Sequence, residues 1–141
     1  MATIQPYLNF NGNTEEAFNF YKFVFGGEFL TVQRFKDSPG CEGMPAGDQD
    51  KIMHIALPIG QNILMGTDVT DPMPKVAFST AMSLSVDTES EEEAHQIFEN
   101  LSVGGVKTMS LEKTFWGALF GMVTDKFGVQ WMVNYDFKES E

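Results

Sequence analysis

Two histidines, one cysteine and a few polar side chains set among apolar ones are what this chain offers for chemistry. His54 lies in the alternating run MHIALPI and points with the polar set of that run. As a general base it needs an orienting partner and a substrate in reach. A structural or ligand-binding role is the preferred reading, and His54 stays a weak catalytic candidate. His95 falls on the exposed side of a helix by periodicity, and no HxxxH-type spacing pairs the two into a metal motif. Cys41, as the single cysteine, excludes an intramolecular disulfide and every multi-cysteine metal site. No basic residue neighbours it in the sequence to activate the thiol, so it is not read as a nucleophile. Arg34 has two open readings: a partner for an internal carboxylate, or a contact for an anionic ligand. Phe115 and Trp116 also have two, core packing or an aromatic wall for a flat ligand. Asp68 and Asp125 read as turn residues. Asp37 and Glu42 read as solvent-facing, and Glu89, Glu91, Glu92 and Glu93 as the acidic start of a helix.

The elements that must position these residues follow from composition and period. A chain of 141 residues with 43% hydrophobic content, including 13 Phe and 9 Met, has enough apolar mass for a core. A net charge of −11 argues against nucleic acid and against anionic membrane surfaces as partners. No 18-residue apolar run and no charged-then-apolar leader is present, so a cytoplasmic protein is expected.

Residues 5–10 read as a strand with Leu8 and Phe10 on one face and Gln5, Tyr7 and Asn9 on the other. Asn11-Gly12-Asn13 is a turn, and Asn13 or Thr14 is the expected cap of a helix ending at Gly26-Gly27. Residues 28–35 form a second strand. Residues 36–50, with two prolines and three glycines, read as a long mobile loop. Residues 51–59 and 62–67 form a hairpin about Gly60-Gln61, and 68–80 a linker. Residues 81–86 are again a strand. A helix opening at Ser90 carries Ala94, Ile97, Phe98 and Leu101 as its stripe and ends at Gly104-Gly105. A short strand at 106–109 precedes a hairpin of 119–124 and 129–134 turning on Asp125-Lys126-Phe127-Gly128.

The order is β-α-β-β-β twice, an α+β fold built by internal duplication. The expected division is one domain made of module 1–68, linker 69–80 and module 81–141. One sheet face is apolar around Leu8, Ile55, Leu64, Leu84 and Val133 and is expected to pack on the helices. The opposite face carries Gln5, Tyr7, Asn9, His54, Thr67, Ser83, Ser85, Gln130 and Asn134 among Ile63, Met65, Ala81 and Met132. It reads either as a wet face or as a cup for a small molecule.

The pattern resembles the vicinal oxygen chelate superfamily of glyoxalase I, bleomycin-resistance proteins and extradiol dioxygenases, and within it the PhnB-like branch. The segments that carry the resemblance are PYLNFNGNTEEAFNFYKFVFGGE at 6–28, DKIMHIALPIG at 50–60, NILMGTD at 62–68 and TFWGALFGMVTDKFGVQWMVN at 114–134. It implies cup-shaped mixed sheets with helices on the outer face, and a homodimer. It also implies a divalent metal held by first and last strands of each module. Those positions fall near Gln5, Met65, Ala81 and Met132, which lack a full ligand set for a hard cation. The expectation is therefore no cofactor and no metal. The function expected is binding of a small molecule in the cup, at Tyr7, Asn9, Arg34, His54, Met65, Ser83, Phe115, Trp116, Met132 and Asn134. The alternative is a metal-dependent or His-assisted lyase, isomerase or oxidoreductase. Relatives in this branch carry a demethylubiquinone methyltransferase label, but no Gly-rich strand-turn-helix suited to adenosylmethionine is present.

Overall fold

The computed structural model describes residues 1–138, and the chain divides into two units, Met1–Ala77 and a second beginning at Phe78. The first contains β1 (Tyr7–Phe10), α1 (Thr14–Phe25), β2 (Thr31–Arg34), a 3-10 turn at Phe35–Asp37, a four-residue helix α2 (Ala46–Gln49), β3 (Ile52–Ile59) and β4 (Asn62–Asp68). The second contains β5 (Leu84–Asp87), α3 (Glu91–Leu101), β6 (Val106–Lys113), β7 (Ala118–Thr124) and β8 (Gln130–Asp136). Each unit forms its own four-stranded mixed sheet, ordered β1-β4-β3-β2 and β5-β8-β7-β6. The first strand of each unit runs parallel to the last, and the remaining pairs are antiparallel. The α+β duplication expected from the pattern is the architecture observed.

Register fixes the faces, because residues opposite one another across a ladder share a side. In the first unit Leu8, Gly66, Ile55 and Val32 form one row. Phe18 of α1 drops its ring onto that row, where a Cβ on Gly66 would stand 2.6 Å from Phe18 Cε1. The ring meets Phe10 edge-on at 6.4 Å and Tyr21 at 5.6 Å. The second unit repeats the device with Phe98 of α3 over Gly121 of β7. There a Cβ would also meet Leu111 Cα at 2.9 Å, where the β6–β7 ladder is irregular. Phe10, Phe18 and Tyr21 are fully buried, and Phe98 is 2% exposed. Each such side chain contributes about 2–3 kcal/mol through burial.

Several elements differ from their sequence expectations for reasons of tertiary context. Asn13 makes no side-chain cap on α1. Asp68, at the end of β4, caps it instead: its Oδ1 accepts from the N–H groups of Gly12 and Thr14 and from the Thr14 hydroxyl, and its Oδ2 from Ile52 N–H. Asp68 is thus a buried hub rather than a plain turn residue. Asp125 is likewise buried. It accepts from Phe127 and Val129 N–H and, at 2.9 Å, from Trp131 Nε1. At α3 the expected cap holds, with Ser90 accepting from Glu93 N–H and Glu93 accepting in turn from Glu89 N–H. β1 begins at Tyr7 rather than residue 5, β5 at Leu84 rather than 81, and β6 runs on to Lys113. The stretch expected to be a mobile loop holds the 3-10 turn and α2. Linker residues up to Ala77 join the first unit, where Asn11 exchanges two hydrogen bonds with the Val76 backbone.

Candidate functional site

In each unit the sheet has a second face turned away from the helix, and the candidate residues are found on these two faces. On the first sheet Tyr7 stands in register with Met65, and Met65 with Ala56. Asn9, Thr67 and His54 extend the same face by alternation. Tyr7 is 45% exposed and His54 half-buried. Tyr7 Oη lies 3.1 Å from His54 Nδ1, with ring centroids 5.7 Å apart. Burial pushes the Tyr7 phenol above its ordinary pKa. Four of the expected ligand-contacting residues, Tyr7, Asn9, His54 and Met65, therefore share one face.

Arg34 is engaged with an internal carboxylate. Its guanidinium grips Glu15 with two bonds of 3.1 and 2.6 Å and also donates to Asp50 O at 2.9 Å. The hydrogen bond to Arg34 holds the Glu15 carboxyl below its ordinary range, and that to Glu15 raises Arg34 further. The pair ties β2 to the first turn of α1.

On the second sheet the row Met109, Met122, Met132, Ser85 crosses all four strands. The next row along holds Glu112, Phe120, Asn134 and Asp87, so an acidic side chain stands at each end of it. Trp116 packs on Phe120 at 6.3 Å, and Phe115 meets Trp116 edge-on at 4.9 Å. Phe115 and Trp116 sit on the turn joining β6 to β7, closed by Thr114 N–H to Ala118 O and by Ala118 N–H to the Thr114 hydroxyl. Phe115 is 97% and Trp116 60% exposed, so neither is packed in the core of its unit. Asn134 donates to Asp87 and Asp136. Ser83 lies just before β5, with its hydroxyl 3.4 Å from Gln130 Nε2. Sequence reasoning missed Met109, Met122 and Phe120. The alternation of the last hairpin held the signal for Met122 and Phe120, because a turn at 125–128 places Met122 opposite Met132 and Phe120 opposite Asn134.

An open depression of about 930 Å³ at the start of α3 is lined by Ser90, Glu91, Glu92, Lys113, Tyr135 and Phe137. None of the expected site residues borders it.

Residues 2–134 match the family described as 3-demethylubiquinone-9 3-methyltransferase. The chain belongs to this family. It is 35% identical over 139 residues to Protein YjdN of Escherichia coli K12, covering 93% of each chain. Among solved structures it is similar to protein PA1353 of Pseudomonas aeruginosa, with 43% identity, a TM-score of 0.85 and coverage of 96% and 98%. It is also similar to the PhnB protein of Bacillus cereus, with 29% identity, a TM-score of 0.77 and coverage of 95% and 99%. A glyoxalase-related enzyme of Fulvimarina pelagi shares the fold at 16% identity, with a TM-score of 0.67 and coverage of 96% and 89%. The chain is PhnB-like, as its motifs suggest, and shares its fold with the glyoxalase-related enzyme.

Membership sharpens the question of a metal. Met65 has Tyr7, not Gln5, as its β1 partner, and Met132 has Ser85, not Ala81, as its β5 partner. Gln5 Oε1 is occupied by Ile63 N–H at 2.7 Å, and Ala81 lies outside the strand. Each unit thus offers a thioether beside a hydroxyl-bearing side chain, a poor donor set for a hard divalent cation. Among the described residues no three His, Cys, Asp or Glu side chains gather as metal ligands.

Proposed function

We propose that this PhnB-like protein binds a small, largely apolar molecule on an open sheet face, and that the binding does not run through a catalytic metal. What carries the proposal is the second sheet's open face, where three methionines stand in one row beside Phe120 and the exposed Trp116. Thioethers adapt to irregular ligand shapes and contact aromatic rings favourably. An exposed indole packed on a second ring supplies a rigid flat wall. Asn134 and Ser85 supply a few polar groups among them, the usual composition of a small-molecule site.

The family's methyltransferase name is not taken as this chain's activity. The β1–α1 turn is not a Gly-rich turn of the kind that holds adenosylmethionine, and its Gly12 and Thr14 N–H groups are bonded to the Asp68 carboxylate. Pairing with a second copy of the chain is also proposed, and sedimentation at micromolar concentration tests it.

A thermal-shift screen of flat apolar compounds, followed by titration of Trp fluorescence, tests the binding. Trp131 is buried against Asp125 and serves as the internal reference. A stabilising compound is expected to perturb the emission of Trp116, and Trp116→Ala is expected to abolish its effect. Stabilisation that survives both Trp116→Ala and Met132→Ala refutes the site. Stoichiometric zinc, nickel, manganese or iron in the purified protein favours the metal-dependent enzyme instead.

A further inference from the structure

The first sheet holds a second feature, independent of the methionine row. β1 and β3 are not neighbours, because β4 runs between them. Even so, Tyr7 reaches across the face to His54 Nδ1 at 3.1 Å. Between them on β4 stands Met65, in register with Tyr7 on one side and with Ala56 of β3 on the other. The polar side chains flanking His54 are turned to other duties. Gln33, its β2 partner, donates to Ser38 Oγ, and Thr67 donates to Met53 O. Arg34 is closed on Glu15. His54 Nε2 has no protein partner among the described residues.

We propose that Tyr7 and His54 form one ligand-binding unit, in which the phenol donates to Nδ1 and the imidazole offers its Nε2–H to an uncharged oxygen acceptor, such as a ketone, on a small apolar molecule. Hydrogen bonding at one ring nitrogen fixes the tautomer and so the character of the other. The partly desolvated phenol keeps its proton and acts as the donor. The remaining acceptor capacity of the imidazole is thereby used, leaving a donor on the half-buried His54, which shares its sheet face with Met65. A net charge of −11 disfavours anionic acceptors relative to neutral ones.

The experiment uses the full chain labelled with 15N in histidine, and long-range 1H–15N correlation spectra. Neutral His54 is expected as the Nε2–H tautomer, and Tyr7→Phe is expected to weaken that preference. Acetophenone is expected to move the His54 Nε2–H and Met65 methyl signals. Ethylbenzene, with the same apolar body and no acceptor, is expected to bind about three- to tenfold more weakly, the worth of one hydrogen bond. Tyr7→Phe is expected to remove about the same factor for acetophenone, with the fold checked by circular dichroism. An Nδ1–H tautomer in the unmodified protein overturns the proposal. So does equal titration by acetophenone and ethylbenzene, a response to benzoate alone, or acetophenone binding indifferent to Tyr7→Phe. The tautomer is read on the unmodified chain, so the proposal stays testable if the variant misfolds. Trp116 emission reports the other sheet, so failure here and failure of the binding site proposed there are told apart.

Discussion

The two units share a frame and differ in what they display on it. Both order their strands alike, both seat a helix phenylalanine on a sheet glycine, and both bury one aspartate as an acceptor hub. The open faces diverge. The first carries a phenol bonded to an imidazole, the second three thioethers and an exposed aromatic pair. The two units thus share the contacts that hold each sheet to its helix and differ on the opposite face. The hubs themselves are not at equivalent places. Asp68 ends the last strand of its unit and holds the helix start, whereas Asp125 closes the last hairpin of its own.

That contrast predicts the largest effects. Asp68→Ala leaves three backbone N–H groups and a hydroxyl without their acceptor, and is expected to cost about 3 kcal/mol or more. Asp125→Ala orphans two backbone N–H groups and an indole, and is expected to cost about 2–3 kcal/mol. Urea unfolding with Glu92→Ala as an exposed control measures both. An Asp68 variant no worse than the control would mean the hub does not hold α1.

How much of this was legible in the sequence depended on the range of the interaction. The helix stripes, the Gly-Gly stops and the alternation of 51–59 announce themselves locally, so the repeat and the apolar face were readable. The polar face was readable in part, because period two placed Tyr7, His54 and Met65 in the first unit, and Met132 in the second, on the face opposite the apolar one. Asp68 was misread as a turn residue because its partners Gly12 and Thr14 lie 56 and 54 residues away. The Met109 position was hidden by the register shifts between β6 and β7, which period counting alone cannot place. Arg34 left two readings open until Glu15, 19 residues distant, was seen to close on it.

The phenylalanine-on-glycine contacts come next in size. Gly121→Ala sets a methyl against Leu111 Cα at 2.9 Å and N at 3.0 Å, backbone that must itself move. Gly66→Ala meets chiefly the Phe18 ring, at 2.6 and 2.9 Å, which can tilt within its cluster. Both are expected to destabilise, Gly121→Ala by about 2–3 kcal/mol and Gly66→Ala by about 1–2 kcal/mol, within the range for overpacking. The reverse order would mean that the buried ring is the stiffer neighbour.

The two tryptophans of the second unit sharpen the difference between frame and face. Trp131→Phe forfeits the bond to Asp125 and is expected to cost about 1–2 kcal/mol. Trp116→Ala, at an exposed turn, is expected to stay within about 0.5 kcal/mol of the parent. Acrylamide should quench the Trp131→Phe variant more strongly than Trp116→Phe. Equal quenching would show that Trp116 is covered in solution, which points to a partner copy on that turn.

A small effect is also expected at the ion pairs that tie each unit's third element, an edge strand, to its helix: Arg34 to Glu15 in the first and Lys107 to Glu99 in the second. The arginine pair is bidentate and its cation is 28% exposed, against 43% for the lysine. Glu15→Gln is therefore expected to cost more than Glu99→Gln, though each within about 1 kcal/mol because both are solvated. The sign with pH follows from the lowered Glu15 carboxyl. Its folded value lies below the ordinary 4.5, so the unfolded chain binds the proton more readily. The contribution is complete above the ordinary glutamate range and disappears as pH falls through the folded value. The stability gap between the parent and Glu15→Gln should thus be constant near neutrality and close in acid, and raising salt should shrink it at every pH. No gap at any pH would mean that Arg34 holds β2 through the Asp50 carbonyl, with Glu15 a bystander.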